Sequence, residues 1–324
     1  FRLHDGLSAR YEVASAATAD ELLDGAAFCV FGGGSLLSGH KDSTGPYAAS
    51  KQQEYEELIE AIERRRVPLH FFSIGGDGSF GDGSGIAPYR ERLLRSPQCK
   101  SATIRQEPDV ALIEGRYGIP AVFYPDVLLD VGAFWEIERN RSEDGKLHVG
   151  LNLPRSFRRT VALLNAARRL RPDIVYHFIR TVRPNAPFNE VNELAPPAED
   201  EHIRLHEYDD PVDTLRLLSE LDVIFSFKLH IGLTASALGV PFVCVTRTLK
   251  SKAFLHSIGA DFAYWGEMPK GRVQWEMLRT ALSPARIREL SARFARDTDI
   301  SQQIRQSRGH LEEVEKTARL YTAA

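Results

Sequence analysis

The sequence predicts an α/β protein made of two Rossmann-like, doubly wound domains that face a cleft. Short apolar runs alternate with helical segments, and two of the runs end in glycine-rich turns. An almost wholly polar segment, Glu136 to Lys146, separates two such series and is interpreted as a linker. Alternation at this spacing is typical of parallel sheets covered by helices on both faces. At 324 residues the chain is also too long for one ordinary core.

The first domain is predicted to span residues 1–140. Its strands are expected at 26–31, 67–74, 101–105 and 121–124, and its helices at 50–66, 87–95 and 108–117. The glycine-rich turns are Gly32-Gly33-Gly34 after the first strand and the loop from Gly75 to Gly85 after the second. Because the chain begins at Phe1 rather than at a methionine, we expect an N-terminal segment of this domain to be missing.

The second domain is predicted at 141–283, followed by one or two terminal helices within 284–324. Its strands are expected at 147–153, 174–180, 203–207, 222–226 and 241–246, and its helices at 156–170, 211–220 and 232–238. A polar, proline-rich excursion from Arg183 to Glu201 is either an acceptor loop or a disordered segment, and the sequence leaves both interpretations open.

Composition excludes several functional classes. A net charge of −3 gives no basis for nucleic-acid binding, and the arginine clusters at 64–66 and 168–171 are interpreted as solvated helix faces. Three cysteines without metal-ligand spacing favour a reducing cytoplasm over a disulfide framework. No apolar run is long enough to span a membrane, no secretory signal is present, and no histidine pair has the spacing of a metal site.

The glycine turns do not match the known nucleotide loops. Gly33 and Gly34 lack the spacing of a dinucleotide-binding fingerprint and the lysine of a P-loop. Gly75 and Gly76 open a loop with two aspartates, Asp77 and Asp82. For Gly33 and Gly34, close approach of the backbone to a ligand and a tight structural turn both remain open. The loop that begins at Gly75 is interpreted either as wrapping a ligand or as a mobile lid or plain surface loop.

The segment from Ser226 to Pro241 is the most informative for function. An apolar strand ends there and a small-residue helix begins, with Lys228, Leu229 and His230 at the junction. Free amides at a helix N-terminus favour anions, so a cation at this position predicts an anion site. His230 taken alone is more often a hydrogen-bonded core residue than a catalyst.

Three further charged residues end predicted strands or follow them closely. Arg105 offers a planar fork for phosphate or carboxylate, although taken alone it is better explained by a surface ion pair. Asp126 is interpreted either as a helix N-cap or as a cleft carboxylate. Lys250 lies just beyond the strand at 241–246, where it either joins the anion site or is solvated.

Four segments together resemble the polysaccharide pyruvyl transferase family, over most of the chain. They are Phe31–Leu37, Ser73–Gly76, Ile104–Glu107 with Tyr124–Asp126, and Ser226–His230 with Gly239–Pro241, Lys250 and Phe254. The resemblance implies a GT-B-like fold and an enzyme that moves a pyruvyl group from phosphoenolpyruvate onto sugar hydroxyls as a ketal in cell-surface polysaccharide synthesis. It implies no cofactor beyond this donor, and a saccharide or lipid-linked oligosaccharide as acceptor.

The resemblance also implies roles for individual residues. His230 is expected to protonate the donor, and Asp126 is a candidate base beside Asp77 and Asp82. The donor-binding candidates are Arg105, Lys228, Lys250, Leu229, Gly33, Gly34, Gly75 and Gly76. Two departures stand out, since Lys228 replaces the arginine more common in the family and Gln106 replaces an acid.

Two alternatives remain beside this interpretation. A GT-B glycosyltransferase that uses a nucleotide sugar fits the same architecture, and a saccharide-binding protein that has lost catalysis fits the two departures. We expect a cytoplasmic protein, and the resemblance leaves open whether a lipid-linked acceptor brings it to the inner face of the membrane.

Overall fold

A computed structural model describes residues 19–34, 36–37, 46–76, 85–181, 194 and 197–322. The chain forms two compact units, of which the first holds Phe1–Val127 and Arg305–Ala324 and the second holds Leu128–Ile304. This division differs from the predicted ranges in three places. The second unit continues to Ile304, beyond its predicted end at residue 283. The second unit begins before the polar segment at 136–146, and the last helix belongs to the first unit.

The first unit is built on a four-stranded parallel sheet with the strand order β1-β2-β3-β4. Its strands are β1 (Cys29–Gly32), β2 (Leu69–Ile74), β3 (Cys99–Ile104) and β4 (Ala121–Phe123), and its helices are α1 (Ala19–Leu22), α2 (Pro46–Arg65), α3 (Pro88–Leu94) and α4 (Pro108–Leu112), the last continued by a π-helical turn (Ile113–Tyr117). Ile59 and Ile62 of α2 pack in one apolar core with Leu69 and Phe71 of β2. Burying both faces of the sheet accounts for the near-continuous apolar strands.

The second unit is built on a five-stranded parallel sheet with the order β7-β6-β5-β8-β9. Its strands are β5 (Leu147–Asn152), β6 (Ile174–Ile179), β7 (Ile203–His206), β8 (Val223–Ser226) and β9 (Phe242–Cys244). Its helices are α5 (Val131–Phe134), α6 (Arg158–Ala167), α7 (Pro211–Glu220), α8 (Leu229–Ala237), α9 (Leu249–Ser257), α10 (Lys270–Ala281) and α11 (Pro284–Asp297). Two further helices end the chain, α12 (Ser301–Ser307) and α13 (Gly309–Thr322), and α13 returns to the first unit.

Local sequence explains where several of these helices begin. Asp210 precedes α7, and its carboxylate accepts hydrogen bonds from the amides of Val212 and Asp213. Ser283 caps α11 in the same way through the amide of Arg286. In both helices a proline occupies the first turn, where no amide donor is needed. The boundaries of α7 were predicted to the residue.

The strand order of the second unit places a reversal point in its sheet. From β5 the chain moves outward through β6 to β7, then returns to the other side of β5 for β8 and β9. Loops that follow β5 and β8 therefore leave the sheet in opposite directions. In open parallel sheets, ligands bind outside the carboxyl ends of the two strands that flank such a point.

The prediction of two doubly wound α/β domains is confirmed. Helix α10 was not predicted, and the segment after residue 283 holds three helices instead of the expected one or two. Among the described residues, no helix combines the length and the apolar character that a membrane crossing requires.

Candidate functional site

The carboxyl ends of β5, β6 and β8 are tied together by polar side chains at the reversal point. Asn152, the last residue of β5, donates from Nδ2 to the carbonyl of Ile179 at 2.9 Å. Ser226, the last residue of β8, has its Oγ 3.0 Å from Asn152 Oδ1 and accepts the amide of Lys228 at 2.9 Å. Both side chains are at most 1% exposed. The hydrogen bonds fix the turn that leads from β8 into α8.

Lys228 occupies the position immediately before α8, with the extended backbone of an N-cap residue. Its ammonium donates to the hydroxyl of Thr181 at 2.5 Å and lies 5.3 Å from the centre of the Phe227 ring. Leu229 and His230 form the first turn of α8, where Leu229 is half-buried and His230 is exposed. The prediction that Lys228 and His230 lie at a helix N-terminus is therefore confirmed.

A second helix N-terminus lies beside the first, because β8 and β9 are neighbours in the sheet. Helix α9 follows β9, contacts α8, and carries Lys250 in its first turn. Thr248, the residue before α9, makes no capping hydrogen bond with its side chain. Thus two helix N-termini, each with a lysine, follow adjacent strands at the same edge of the sheet. Free amides and the helix dipoles make such an edge favourable for an anion.

A row of three histidines, of which His148 and His177 are buried and His206 is half-buried, crosses the same sheet diagonally. His148 Nδ1 lies 2.8 Å from His177 Nε2, and His177 Nδ1 lies 2.9 Å from His206 Nε2. At the other end, His148 Nε2 lies 3.1 Å from a carboxylate oxygen of Asp144. The hydrogen bond from His148 lowers the pKa of Asp144 to about 2, while burial lowers the pKa of His177 to about 2.

The carboxylate at one end sets the tautomers of this row. Because an ionised Asp144 only accepts, His148 donates from Nε2 and accepts at Nδ1 from His177, which in turn accepts from His206. In this arrangement each of the three rings carries a proton at Nε2. The row runs from the start of β5 to the end of β7, so each step advances toward the carboxyl edge of the sheet.

In the first unit, Arg105 and Asp126 form a buried ion pair at the carboxyl edge of the sheet. The guanidinium Nη1 lies 2.9 Å from Asp126 Oδ2, and the two side chains are 6% and 9% exposed. The structure therefore brings together two residues that the sequence placed at neighbouring strand ends. The pair is buried, in contrast to the exposed ion pair that was the alternative interpretation of Arg105.

Gly75 packs tightly against Arg105, and Gly76 packs tightly against Leu37 and Asp109. A Cβ on Gly75 would approach Arg105 Cγ to 2.9 Å, and one on Gly76 would approach the main-chain oxygen of Leu37 to 3.2 Å. The amide of Gly76 donates to Asp109 Oδ2 at 2.5 Å. Protein atoms thus account for the absence of side chains at these two positions.

Glycine is required at positions 33 and 34 for a different reason, which is the conformation of the backbone. The φ angles of Gly33 and Gly34 are 73° and 83°, in the left-handed region that glycine adopts readily, and a Cβ on either would meet nothing within 4 Å. The turn requires glycine for its conformation rather than for close packing. Asp77 and Asp82, the other candidate bases, lie outside the described residues.

A bulge at the end of β2 places Ser73 in a strained conformation beside a buried histidine. Ser73 has a φ of 52°, and its amide donates to Thr103 Oγ1 at 2.9 Å. The same hydroxyl lies 2.7 Å from Nδ1 of His310, which α13 brings to the sheet. Burial lowers the pKa of His310 to about 4, so the imidazole is neutral at pH 7.

Several of these residues were not predicted from the sequence. Asn152 is the last residue of the apolar strand β5, and Arg105 directly follows β3. A polar side chain at such a strand end could have been recognised in the sequence as a candidate site residue. Thr181 follows the end of β6 by two residues and could have been recognised in the same way. Thr103 and His310 are 207 residues apart, and no local pattern connects them. Among the described residues, no group of three or more His, Cys, Asp or Glu side chains converges to hold a metal ion.

Two parallel doubly wound units, with a polar carboxyl edge on each sheet, define a GT-B-like protein. Solved structures with this fold include a UDP-N-acetylglucosamine 2-epimerase (TM-score 0.57, 10% identity, 94% of this chain and 76% of that chain). They also include S. aureus MnaA in a co-structure with UDP (0.53, 11%, 84% and 72%). A third is UDP-GlcNAc 2-epimerase from Neisseria meningitidis bound to UDP-GlcNAc (0.52, 11%, 81% and 73%). The sequence matches no protein-family model and no curated protein.

The resemblance to pyruvyl transferases was wrong, and with it the predicted ketal-forming activity and the phosphoenolpyruvate donor. The structural neighbours include UDP-GlcNAc 2-epimerases, and no family model supports pyruvyl transfer. The physical reason is that the quoted motifs lie at strand-to-helix turns. Glycines and cations recur at such turns in many Rossmann-like domains, so the motifs indicated the fold and not the reaction.

Proposed function

We propose that this chain is a sugar-nucleotide enzyme that binds a nucleoside diphosphate sugar through its second unit. One observation carries the proposal. At the carboxyl edge of the sheet, two adjacent helix N-termini each present a lysine, Lys228 before α8 at the reversal point and Lys250 in α9 beside it. A diphosphate has two anionic groups, and this edge offers two sets of amides and two ammonium groups to receive them.

The structural neighbours support the same class of ligand. MnaA of S. aureus is seen with UDP, and the N. meningitidis epimerase with UDP-GlcNAc. At 11% identity these likenesses concern the fold, so the ligand is proposed for this chain on the lysines and helices described above. The nucleotide-sugar alternative from the sequence therefore becomes the leading interpretation.

Ligand binding is tested by calorimetry and thermal shift with UDP, UDP-GlcNAc, inorganic diphosphate and phosphoenolpyruvate. We expect UDP and UDP-GlcNAc to bind and raise the melting temperature, because ligand binding to the native state stabilises it. Stabilisation by phosphoenolpyruvate alone, or by none of the four, would overturn the proposal.

Two substitutions locate the site. Lys228→Met and Lys250→Met each remove one charge-assisted contact, so we expect UDP to bind roughly 10- to 100-fold more weakly. Lys252→Met is the matched control, because Lys252 lies on α9 as well but is exposed and pairs with Glu267. If all three variants bind UDP like the parent protein, the diphosphate site is elsewhere.

The reaction is identified by incubating the protein with UDP-GlcNAc in heavy water and recording proton NMR spectra. An epimerase exchanges the C2 proton for deuterium and forms the C2 epimer without an acceptor. A glycosyltransferase releases UDP only when an acceptor is added. Binding of UDP-GlcNAc with neither outcome would support the non-catalytic alternative and contradict the enzymatic part of the proposal.

A further inference from the structure

The outer surface of α6 and α10 in the second unit combines exposed apolar side chains with arginines. Leu163 is 59% exposed, Leu170 just after α6 is 80% exposed, and Trp275 of α10 is 58% exposed. Each lies on the outer side of a helix whose opposite side enters the core through residues such as Val161 and Met277. These large side chains contribute little to the folded core.

The apolar residues of α6 share one stripe. Arg159, Leu163, Ala166 and Leu170 follow one another at spacings of four, three and four, which places them on one face of a helix. The chain continues α6 through a tighter helical turn (Arg168–Leu170), so the stripe extends beyond the α-helix proper. The stripe therefore presents two leucines and an arginine to solvent.

Helix α10 lies beside this stripe. Gln274 Nε2 donates to the carbonyl of Ser156 at 2.8 Å, which joins α10 to the start of the α6 segment. Arg171 Nη1 donates to the carbonyl of Leu282 at 2.7 Å, which joins the other ends. Trp275 follows Gln274 directly and points away from the core side of α10. The two helices thus form one continuous surface.

The charge of this surface differs sharply from that of the chain. Residues 155–171 contain six arginines and no acidic residue, whereas the whole chain has a net charge of −3. Arg168 and Arg171 are held by Asp200 and Asp173. The remaining arginines are exposed and form no ion pair with any residue that the structure describes, and they are Arg155, Arg158, Arg159 and Arg169.

We propose that the α6–α10 face, formed by Arg158, Arg159, Leu163, Leu170 and Trp275, docks onto an anionic membrane surface. Arginine attracts anionic headgroups while its stem lies along apolar surface, and exposed leucine and tryptophan insert at the boundary between headgroups and acyl chains. A polyanion such as nucleic acid satisfies the arginines but not the leucines. The combination of arginines with exposed leucines and tryptophan therefore favours a lipid surface. This proposal does not depend on the function proposed above.

Vesicle co-sedimentation tests the proposal with the whole chain. We expect binding to vesicles that contain phosphatidylglycerol and little binding to pure phosphatidylcholine, with an affinity about fivefold lower per arginine removed. Trp275 provides a second readout, because its fluorescence should shift to shorter wavelength on insertion. Trp135 and Trp265 are half-buried, so Trp275→Ser should remove most of the shift.

Two double variants separate charge from apolar insertion. Arg158→Glu/Arg159→Glu reverses two charges, and Leu163→Ser/Trp275→Ser removes the apolar groups, and each should abolish vesicle binding. Arg92→Glu/Arg319→Glu is the control with the same change in net charge, because both arginines are exposed in the first unit. All substituted side chains are solvent-exposed, and circular dichroism is recorded to check that each variant is folded.

Other occupants of this face give different results, and each would overturn the proposal. A second copy of the chain predicts a concentration-dependent dimer that Leu163→Ser/Trp275→Ser dissociates. A nucleic acid predicts binding to RNA or DNA that is lost in the arginine variant but kept in the leucine and tryptophan variant. Equal binding to neutral and anionic vesicles, or equal binding by the parent and both double variants, also contradicts docking through this face.

Discussion

The two units carry different charged side chains, with different partners, at the carboxyl edges of their sheets. In the first unit a guanidinium, Arg105, pairs with a carboxylate, Asp126, and both are buried. In the second unit an ammonium, Lys228, donates to the hydroxyl of Thr181, which carries no charge of its own. The first arrangement is a buried ion pair, while the second places a cation at a helix N-terminus. The same type of sheet edge thus serves structure in one unit and is proposed to serve ligand binding in the other.

The comparison predicts large stability effects in the first unit. Arg105→Met should lower the free energy of unfolding by about 3–5 kcal/mol, because it leaves the Asp126 carboxylate buried without its guanidinium. Urea denaturation monitored by circular dichroism measures the change. Arg64→Met is the control, since Arg64 forms an exposed ion pair with Asp20 in the same unit, and it should cost less than about 1 kcal/mol. Equal losses in the two variants would contradict the structural role of the buried pair.

Removing the Thr103 hydroxyl should cause the next largest loss of stability. Thr103→Val leaves both the Ser73 amide and His310 Nδ1 without the partner seen here, which should cost roughly 2–4 kcal/mol. Thr103→Ser retains the hydroxyl and should lose much less. Hydrogen exchange of the Ser73 amide gives a local readout, and it should become faster in the valine variant. Unchanged exchange there would show that the bulge at Ser73 does not depend on this hydroxyl.

How far the sequence predicted these features depends on the range of the contacts. The strands and helices follow from local periodicity, and the placement of Arg105 and Lys228 at strand ends follows from strand order. The His148–His177–His206 row depends on a two-residue offset at each step between paired strands, and no local pattern encodes that offset. The position of His310 beside Thr103 depends on the last helix returning to the first unit.

Function was harder to predict than fold for a related reason. The glycine turns and the segment around Lys228 are determined by strand-to-helix geometry, which unrelated enzymes of this architecture share. Lys228 in place of the family's usual arginine and Gln106 in place of an acid were departures that already spoke against pyruvyl transfer. Helix α10 was overlooked although Val273, Met277 and Ala281 repeat at a spacing of four residues, which predicts a helix with one buried face.

The histidine row predicts that the second unit loses stability in acid. The pKa of His177 is about 2 in the folded protein and 6.5 when unperturbed, so the unfolded chain binds a proton that the folded state excludes. The free energy of unfolding therefore has its full value above pH 6.5 and falls as the pH drops below 6.5, by roughly 2 kcal/mol at pH 5. Urea titrations at several pH values measure the slope. His177→Asn should flatten the slope, whereas His256→Gln, at an exposed histidine, should leave it unchanged. An unchanged slope in His177→Asn would contradict the assignment.

The smallest expected effect on stability is at Lys228. Lys228→Met should change the free energy of unfolding by less than about 0.5 kcal/mol, because the side chain is only half-buried and donates to the hydroxyl of Thr181. The same substitution should weaken UDP binding, so stability and affinity separate in the second unit. Arg105→Met should show the reverse, with a large loss of stability and little direct effect on UDP affinity once the folded fraction is taken into account. Measuring both quantities in both variants tests the contrast. If Lys228→Met destabilises the protein as much as Arg105→Met does, Lys228 is part of the structural framework, and the two sheet edges are alike in kind.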